Sequence, residues 1–348
     1  MPCNTSRGLP FKTKEKITMT KQEFTAMLKQ YAASDIKKSV FQIIVTLVPY
    51  LALNWLMYLT IAYELPYAIT LVLALVASGF LMRIFIIFHD CTHQSFFKSR
   101  TSNKIVGHIF GVLTFTAFSS WQYSHAVHHG TVGNLTKRGT GDVWTMTVAE
   151  YKKSSLARKI GYKLYRNPLF LFVIAPVLLF FVKNRFPSRR MRKQDIISIS
   201  ITNAAIAAII VACAYTVGVG TYLAIQIPIM TFAGMIGVWL FYIQHQFGDV
   251  YWEKDESWDR ERAALEGSSF FKLPAVLRWF SGNIGYHHIH HLNARIPNYN
   301  LKRCYENISV LQNITPITFF KSFKLMFLNL YDENSRRLIS FRKARLAY

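Results

Sequence analysis

Apolar residues run almost unbroken through four stretches of this 348-residue chain, about 40–61, 66–88, 196–217 and 222–243. Each approaches the roughly 20 residues that an α-helix needs to cross a hydrocarbon layer. The stretches come in pairs. No Lys or Arg occurs between Lys38 and Arg83, nor between Lys193 and Lys254. Ala62-Tyr63-Glu64-Leu65-Pro66 interrupts the first of these reaches, and Gly218-Val219-Gly220 the second. The pattern predicts two tight helical hairpins. Two further apolar stretches, about 105–121 and 169–182, are marginal in length, and the second contains Pro176.

Charge orients this frame. Lys and Arg number 41 against 18 Asp and Glu, a formal net charge of +23. With 51% of residues hydrophobic, the chain is no disordered basic tail. Its basic residues are spread over many loops rather than along one groove-reading element, which argues against nucleic acid as a partner. The two hairpin turns carry no Lys or Arg, whereas every flank outside the hairpins is rich in them. The positive-inside rule then places both termini and the long loops in the cytosol.

Lys152, Lys153, Arg158, Lys159, Lys163 and Arg166 precede the 169–182 stretch; Lys183, Arg185, Arg189, Arg190, Arg192 and Lys193 follow it. Positive charge on both sides predicts a segment that lies on or dips into the cytosolic leaflet, a full crossing being the alternative. Residues 105–121 are read as a second membrane-dipping segment. Arg83, near the end of the second span, is expected to snorkel toward the interface, with a lipid-headgroup contact as the alternative. Residues 1–38 form a basic cytosolic arm without the apolar core of a cleavable signal peptide, and 39–348 form one domain. The four cysteines, Cys3, Cys91, Cys213 and Cys304, are far apart, so neither a disulfide framework nor a structural zinc site is expected.

Ten of the 11 histidines fall into clusters. His89 and His93 form HxxxH just past the second span, and His125, His128 and His129 form HxxHH. His245 follows the fourth span. His287, His288, His290 and His291 form HHIHH, and only His108 stands apart. Residues three and four apart share a helix face, so each box directs two or three imidazoles one way. An even number of crossings precedes each cluster, which brings them all to one cytosolic edge. A polynuclear metal cage follows. No HExxH supports a zinc protease and no Glu-x-x-His a carboxylate-bridged bundle, and the spans hold no histidine for haem. Eight or nine imidazoles suffice for two irons, and an iron pair can turn O2 into an oxidant strong enough for an unactivated C–H bond.

The chain resembles the membrane fatty acid desaturases, in which HxxxH, HxxHH and a late HxxHH follow paired spans. Longer strings resemble the Bacillus-type acyl-lipid enzymes: Arg83-Ile-Phe-Ile-Ile-Phe-His-Asp-Cys-Thr-His-Gln-Ser-Phe-Phe97, Lys137-Arg-Gly-Thr-Gly-Asp-Val-Trp144, and Gly282-Asn-Ile-Gly-Tyr-His-His-Ile-His-His-Leu292 followed by Arg295-Ile-Pro-Asn-Tyr299. The resemblance implies an all-α integral membrane protein: four transmembrane helices in two hairpins, under a cytosolic helical cap carrying a di-iron site. It implies O2-dependent desaturation of an acyl chain on a membrane phospholipid in a bacterial membrane, with a hint of the Δ5 position. As iron ligands it implies His89, His93, His125, His128, His129, His245, His287, His290 and His291. His288 is read as standing behind the ligands, although a shifted register would include it. Asp90, Asp142 and Asn283 are candidates to orient ligand imidazoles through their second N–H, and a cap or turn role fits them equally. Trp121, Tyr123 and Trp144 read as interfacial anchors.

No His-Pro-Gly-Gly haem-binding signature occurs, so electrons are expected from a separate donor, an acidic ferredoxin or flavodoxin suited to the basic face. Two other readings stay open. A histidine-box hydroxylase acting on a lipid, alkane or carotenoid would carry the same boxes. A membrane metal transporter or sensor would need polar ligands along mid-membrane, where the spans offer only Asn54, Asn203 and Gln226.

Overall fold

The computed structural model describes residues 20–189 and 191–347. The first 19 residues of the basic arm, with Cys3, lie outside the described residues, as do Arg190 and Tyr348. Helix α1 (Lys21–Lys29) opens with a capping box between Thr20 and Glu23. Among the described residues four helices are long and apolar enough to cross a membrane: α2 (Ile36–Ala62), α3 (Tyr67–Thr92), and two from the second hairpin, Lys193–Tyr215 and Val219–His245. Between the hairpins lie α4 (Arg100–Leu113), α5 (Phe118–Thr131), α6 (Val148–Lys153), α7 (Leu156–Tyr165) and α8 (Phe170–Arg185). The second hairpin is therefore α9 and α10. Helices α11 (Arg260–Glu266), α12 (Ala275–Phe280), α13 (His287–Leu292), α14 (Asn298–Asn307), α15 (Phe319–Leu325) and α16 (Phe341–Ala347) complete the cap.

Helix α3 is the central span. It packs along α2, α4 and α10, and from Leu81 to Thr92 nearly every residue is buried. Helix α2 instead turns Phe41, Ile44, Val48, Leu51 and Trp55 outward, the exposed apolar face that a helix presents to lipid. Asp35 caps α2 through the backbone N–H groups of Lys37 and Lys38. At the other turn Gly218 takes φ +85, a left-handed conformation that glycine reaches without strain. Short strands stitch the cap together. β1 (Met146–Thr147) runs parallel to β4 (Leu330–Asp332), which pairs antiparallel with β5 (Arg337–Ile339); β2 (Phe271–Lys272) runs parallel to β3 (Ile317–Thr318).

Four local features differ from the sequence reading or add to it. The helices outrun the apolar runs: α3 continues to Thr92 and α10 to His245, so each span ends inside a histidine box. The 105–121 stretch is not one helix, because Thr114–Ala117 separates α4 from α5. The 169–182 stretch lies within α8, which widens into π turns on either side of Pro176 and meets α7 at a 59° bend. Arg83 does not snorkel. Its Nε donates to Thr46 Oγ1 at 3.1 Å, its Nη1 donates to the Trp279 carbonyl, and its guanidinium lies 4.1 Å from the Trp279 ring centroid. The cap helix α12 covers it, which no local signal around residue 83 foretells.

Candidate metal centre

The histidines meet because four helix ends converge. His89 sits in the last turn of α3 and His93 caps that helix. The HxxHH of α5 spreads His125 and His129 along one face, with His128 turned toward its neighbour. His245 is the final residue of α10, and four of the six residues of α13 are histidine. Nine imidazoles form two groups: His89, His93, His125, His129 and His290, and separately His128, His245, His287 and His291. In each, the ligand atoms lie within 4.8 Å of one another. The groups cut across the boxes, since His128 parts from His125 and His129, and His290 from His287 and His291.

The separations fit bound cations. In the five-membered group, Nε2 of His290 lies 3.0 Å from that of His89 and 3.0 Å from that of His129, which is 3.1 Å from His125 Nε2. In the four-membered group, Nε2 of His245 lies 3.1 Å from that of His128 and 2.9 Å from that of His287, which is 3.1 Å from His291 Nε2. Imidazole nitrogens about 2.1 Å from one ion and at right angles about it are about 3.0 Å apart. Nε2 of His93 is buried without a hydrogen-bond partner among the described residues, an orphan that a cation satisfies. No thiolate or carboxylate oxygen joins either group. All-imidazole donor sets of five and four fit a non-haem di-iron site.

Burial first, and neighbouring imidazoles second, push His93, His125, His129, His287, His290 and His291 well below the usual histidine pKa. They stay neutral near pH 7 and keep a lone pair for metal. Two carboxylates set the tautomer on the ligands they touch. Asp90 Oδ1 lies 3.0 Å from His89 Nδ1, and Asp142 Oδ1 lies 2.6 Å from His128 Nδ1, which leaves Nε2 of each ring facing its group. The loop before Asp142 is seated by glycine. Gly141 has φ +74, and a Cβ there would fall 2.9 Å from His128 Cβ. A narrow cleft lined by Asp142, His245, Gln246 and Phe241 among others reaches the four-membered group.

Two expected supporting residues play other parts. His288 joins neither group. Its Nε2 lies 3.2 Å from the Leu311 carbonyl, and burial lowers its pKa to about 4, so it is neutral and donates that bond. One step of 100° along α13 turns it away from the metal face. Asn283 has φ +59 and donates to the Asn298 carbonyl, so it shapes the turn before the last box rather than orienting a ring. Trp121 stacks on His125, with ring centroids 4.2 Å apart.

Sequence reasoning missed three partners. Asn298 donates from its backbone N at 2.7 Å and its Nδ2 at 2.9 Å to Asp90 Oδ2, and Gln42 braces Asn298 in turn. The Gly267 carbonyl lies 3.1 Å from His245 Nδ1. Asn298 lay inside the quoted Arg295–Tyr299 string, but the Gly267 carbonyl, being backbone, left no sequence signal. His108 stands outside both groups, against the Phe118 ring.

Known proteins match this chain in sequence. Residues 63–311 match the family model described as fatty acid desaturase. A "Fatty acid desaturase" of Bacillus subtilis (strain 168) is 44% identical over 330 residues, covering 95% of this chain and 93% of that protein. An "sn-1 acyl-lipid omega-3 desaturase (ferredoxin)" of Nostoc sp. (strain 36) is 27% identical, over 65% of this chain and 63% of its own length. An "Omega-6 fatty acid desaturase, chloroplastic" of Glycine max is 26% identical, over 64% of this chain and 52% of its own. With four membrane-length helices, two of which end at the paired imidazole groups, this chain is an integral membrane enzyme and belongs to the fatty acid desaturase family.

Proposed function

We propose that the enzyme introduces a cis double bond into the acyl chain of a membrane phospholipid, drawing on O2 and two electrons from a soluble acidic carrier such as ferredoxin or flavodoxin. The observation that carries this reading is the position of the two imidazole groups, at the ends of α3 and α10 where the apolar spans give way to the cap. A centre there meets acyl chains from the membrane side and a carrier from the other. The nine histidines would hold two irons, with Asp90 and Asp142 orienting His89 and His128. Net charge of +23 favours an acidic carrier, and the Nostoc relative is named for ferredoxin. The same charge pattern supports both termini and the site being cytosolic, with segments 105–121 and 169–182 at that leaflet; the Bacillus-type strings favour a bacterial membrane, with 39–348 as one catalytic unit.

When bound, the iron pair supplies the reduction of O2; a saturated chain, O2, two electrons and two protons give an alkene and two waters. The chain's own residues prepare the site. Asp90 and Asp142 hold the Nδ1 protons of His89 and His128. Phe85, Phe88 and Trp121 pack edge to face beside His89, and Phe241 lies against His128 and His245. That aromatic lining excludes water from the reacting methylenes. Methylenes carry no polar label, so the position of attack depends on how deep an apolar path admits the chain; Δ5 is the position that the Bacillus-type strings favour.

Expression in a host without desaturases, with a matched reductase and carrier, followed by gas chromatography and mass spectrometry of its lipids, tests this. New cis-monoenes on phospholipid are expected, with fragmentation locating the bond. Folded, iron-loaded protein that gives no new double bond, or gives an alcohol instead, overturns the proposal.

A further inference from the structure

Helix α7 has two unlike faces. Leu156, Ile160 and Leu164, at i, i+4 and i+8, are 74%, 51% and 63% exposed. Lys159 and Lys163 border this stripe. Exposed apolar side chains continue into α8 through Ile174, Leu178 and Val182. Across 151–194 the sequence holds 12 Lys and Arg and no Asp or Glu. An aliphatic stripe edged with lysine, on a helix bent 59° from an apolar one, is the pattern of a helix lying in a charged membrane surface.

The opposite face is tied to the metal centre. Tyr162 Oη donates to the Asn329 carbonyl and accepts from the Met146 N–H at 3.0 Å; Tyr165 Oη accepts from the Trp144 N–H at 3.1 Å. Arg166, which follows α7, is 1% exposed and has no carboxylate partner among the described residues. Its Nη1 donates to Trp144 O at 3.2 Å and Thr145 Oγ1 at 3.1 Å. Its Nη2 donates to Tyr242 Oη at 3.0 Å, Gln246 Oε1 at 3.0 Å and Leu328 O at 2.7 Å. Trp144 follows Asp142, the partner of His128, and Gln246 follows His245. The inner face thus holds both segments that aim ligands into the four-membered group.

We infer that α7 is a contact surface for anionic phospholipid, and that seating it on such a leaflet steadies the four-histidine group through Tyr162, Tyr165 and Arg166. The membrane is favoured over an acidic protein because the exposed stripe is wholly aliphatic, with no exposed aromatic at its centre. The inference goes beyond the proposed reaction and does not depend on which bond is desaturated.

The test uses the iron-loaded full chain in phosphatidylcholine vesicles, with and without one-third phosphatidylglycerol. Amide exchange across 156–166 and iron retention under chelator are measured in each, and neither needs turnover. Anionic lipid is expected to raise protection at least tenfold and to slow release of half the iron. Lys159→Gln and Lys163→Gln are each expected to cut the lipid-induced protection about fivefold. The triple change of Leu156, Ile160 and Leu164 to Ser should abolish it; all three are exposed, so folding is checked by the unchanged second half of the iron. Equal exchange and iron retention in both vesicles overturns the inference. So does a result in which the lysine variants keep the lipid response but weaken reduction by an acidic carrier, which would assign this face to the carrier.

Discussion

Asp142→Asn keeps the size of the side chain and removes only its charge. The carboxylate lies 2.6 Å from His128 Nδ1 and is 14% exposed, so water replaces little of what is lost. An amide oxygen accepts the same proton more weakly. If the amide NH2 faces the ring instead, the imidazole proton moves to Nε2, and Nε2 no longer binds metal. Loss of such a partner typically costs about 10- to 100-fold in metal affinity, roughly 1.4–2.8 kcal/mol. The geometry says which metal suffers. Within the four-membered group, His245 rests on the Gly267 carbonyl, and the Nδ1 atoms of His287 and His291 have no partner among the described residues. Carboxylate support for that group therefore rests on Asp142 alone. The five-membered group retains Asp90 on His89. Competition with a chelator, followed by metal analysis of the repurified protein, should release one metal equivalent at 10- to 100-fold lower chelator and the other as in the unaltered protein. Uniform weakening of both, or of neither, refutes the division of the centre. Asp90→Asn provides the converse: it should loosen the other equivalent and lower thermal stability as well, since Asp90 also accepts two bonds from Asn298.

Three further outcomes are expected. His288→Phe should leave two metals bound while the stranded Leu311 carbonyl costs about 1–3 kcal/mol in unfolding experiments; loss of metal would favour the shifted register that makes His288 a ligand. Gly141→Ala should cost about 1–2 kcal/mol from its left-handed backbone alone. The clash at His128 should also weaken the four-histidine metal, and unchanged melting and metal content would show that the loop does not clamp α5. Acidification should spare the centre at first. The buried imidazoles titrate well below the usual 6.5, so just below that pH the folded protein holds fewer protons than the unfolded chain and folding stability already begins to decline, whereas metal is kept until the pH nears the lower values at which the folded-state imidazoles take up protons. Metal content measured after dialysis should match at pH 7.5 and 6.0; release with a midpoint near 6.5 contradicts the burial.

The spans were legible because lipid forbids what water allows, and the gaps from Lys38 to Arg83 and from Lys193 to Lys254 record that rule directly. Helix ends were not, because α3 and α10 keep their winding while their composition turns polar at His89 and His245. Clustering identified the histidines, yet box membership concealed how they divide, since the turn between His125 and His128 is a matter of angle rather than spacing. Asp90 and Asp142 were found beside ligands or between motifs. Asn298 lies 208 residues from the carboxylate it braces, and only the folded chain brings them together. Arg83 was misjudged for the same reason, its partner Trp279 belonging to a helix that folds back over the span.

Six pairs of ring nitrogens face one another about 3 Å apart in the buried centre. Lone pairs so placed repel unless something positive stands between them, so the ions complete the interior as well as the reaction. An ion that binds only the folded chain adds about 2.7 kcal/mol to its stability at one hundred times its dissociation constant. Iron held there would then govern how much of the chain stays folded, ahead of how fast each copy works, and protein stripped of metal is expected to unfold and yield to protease more readily.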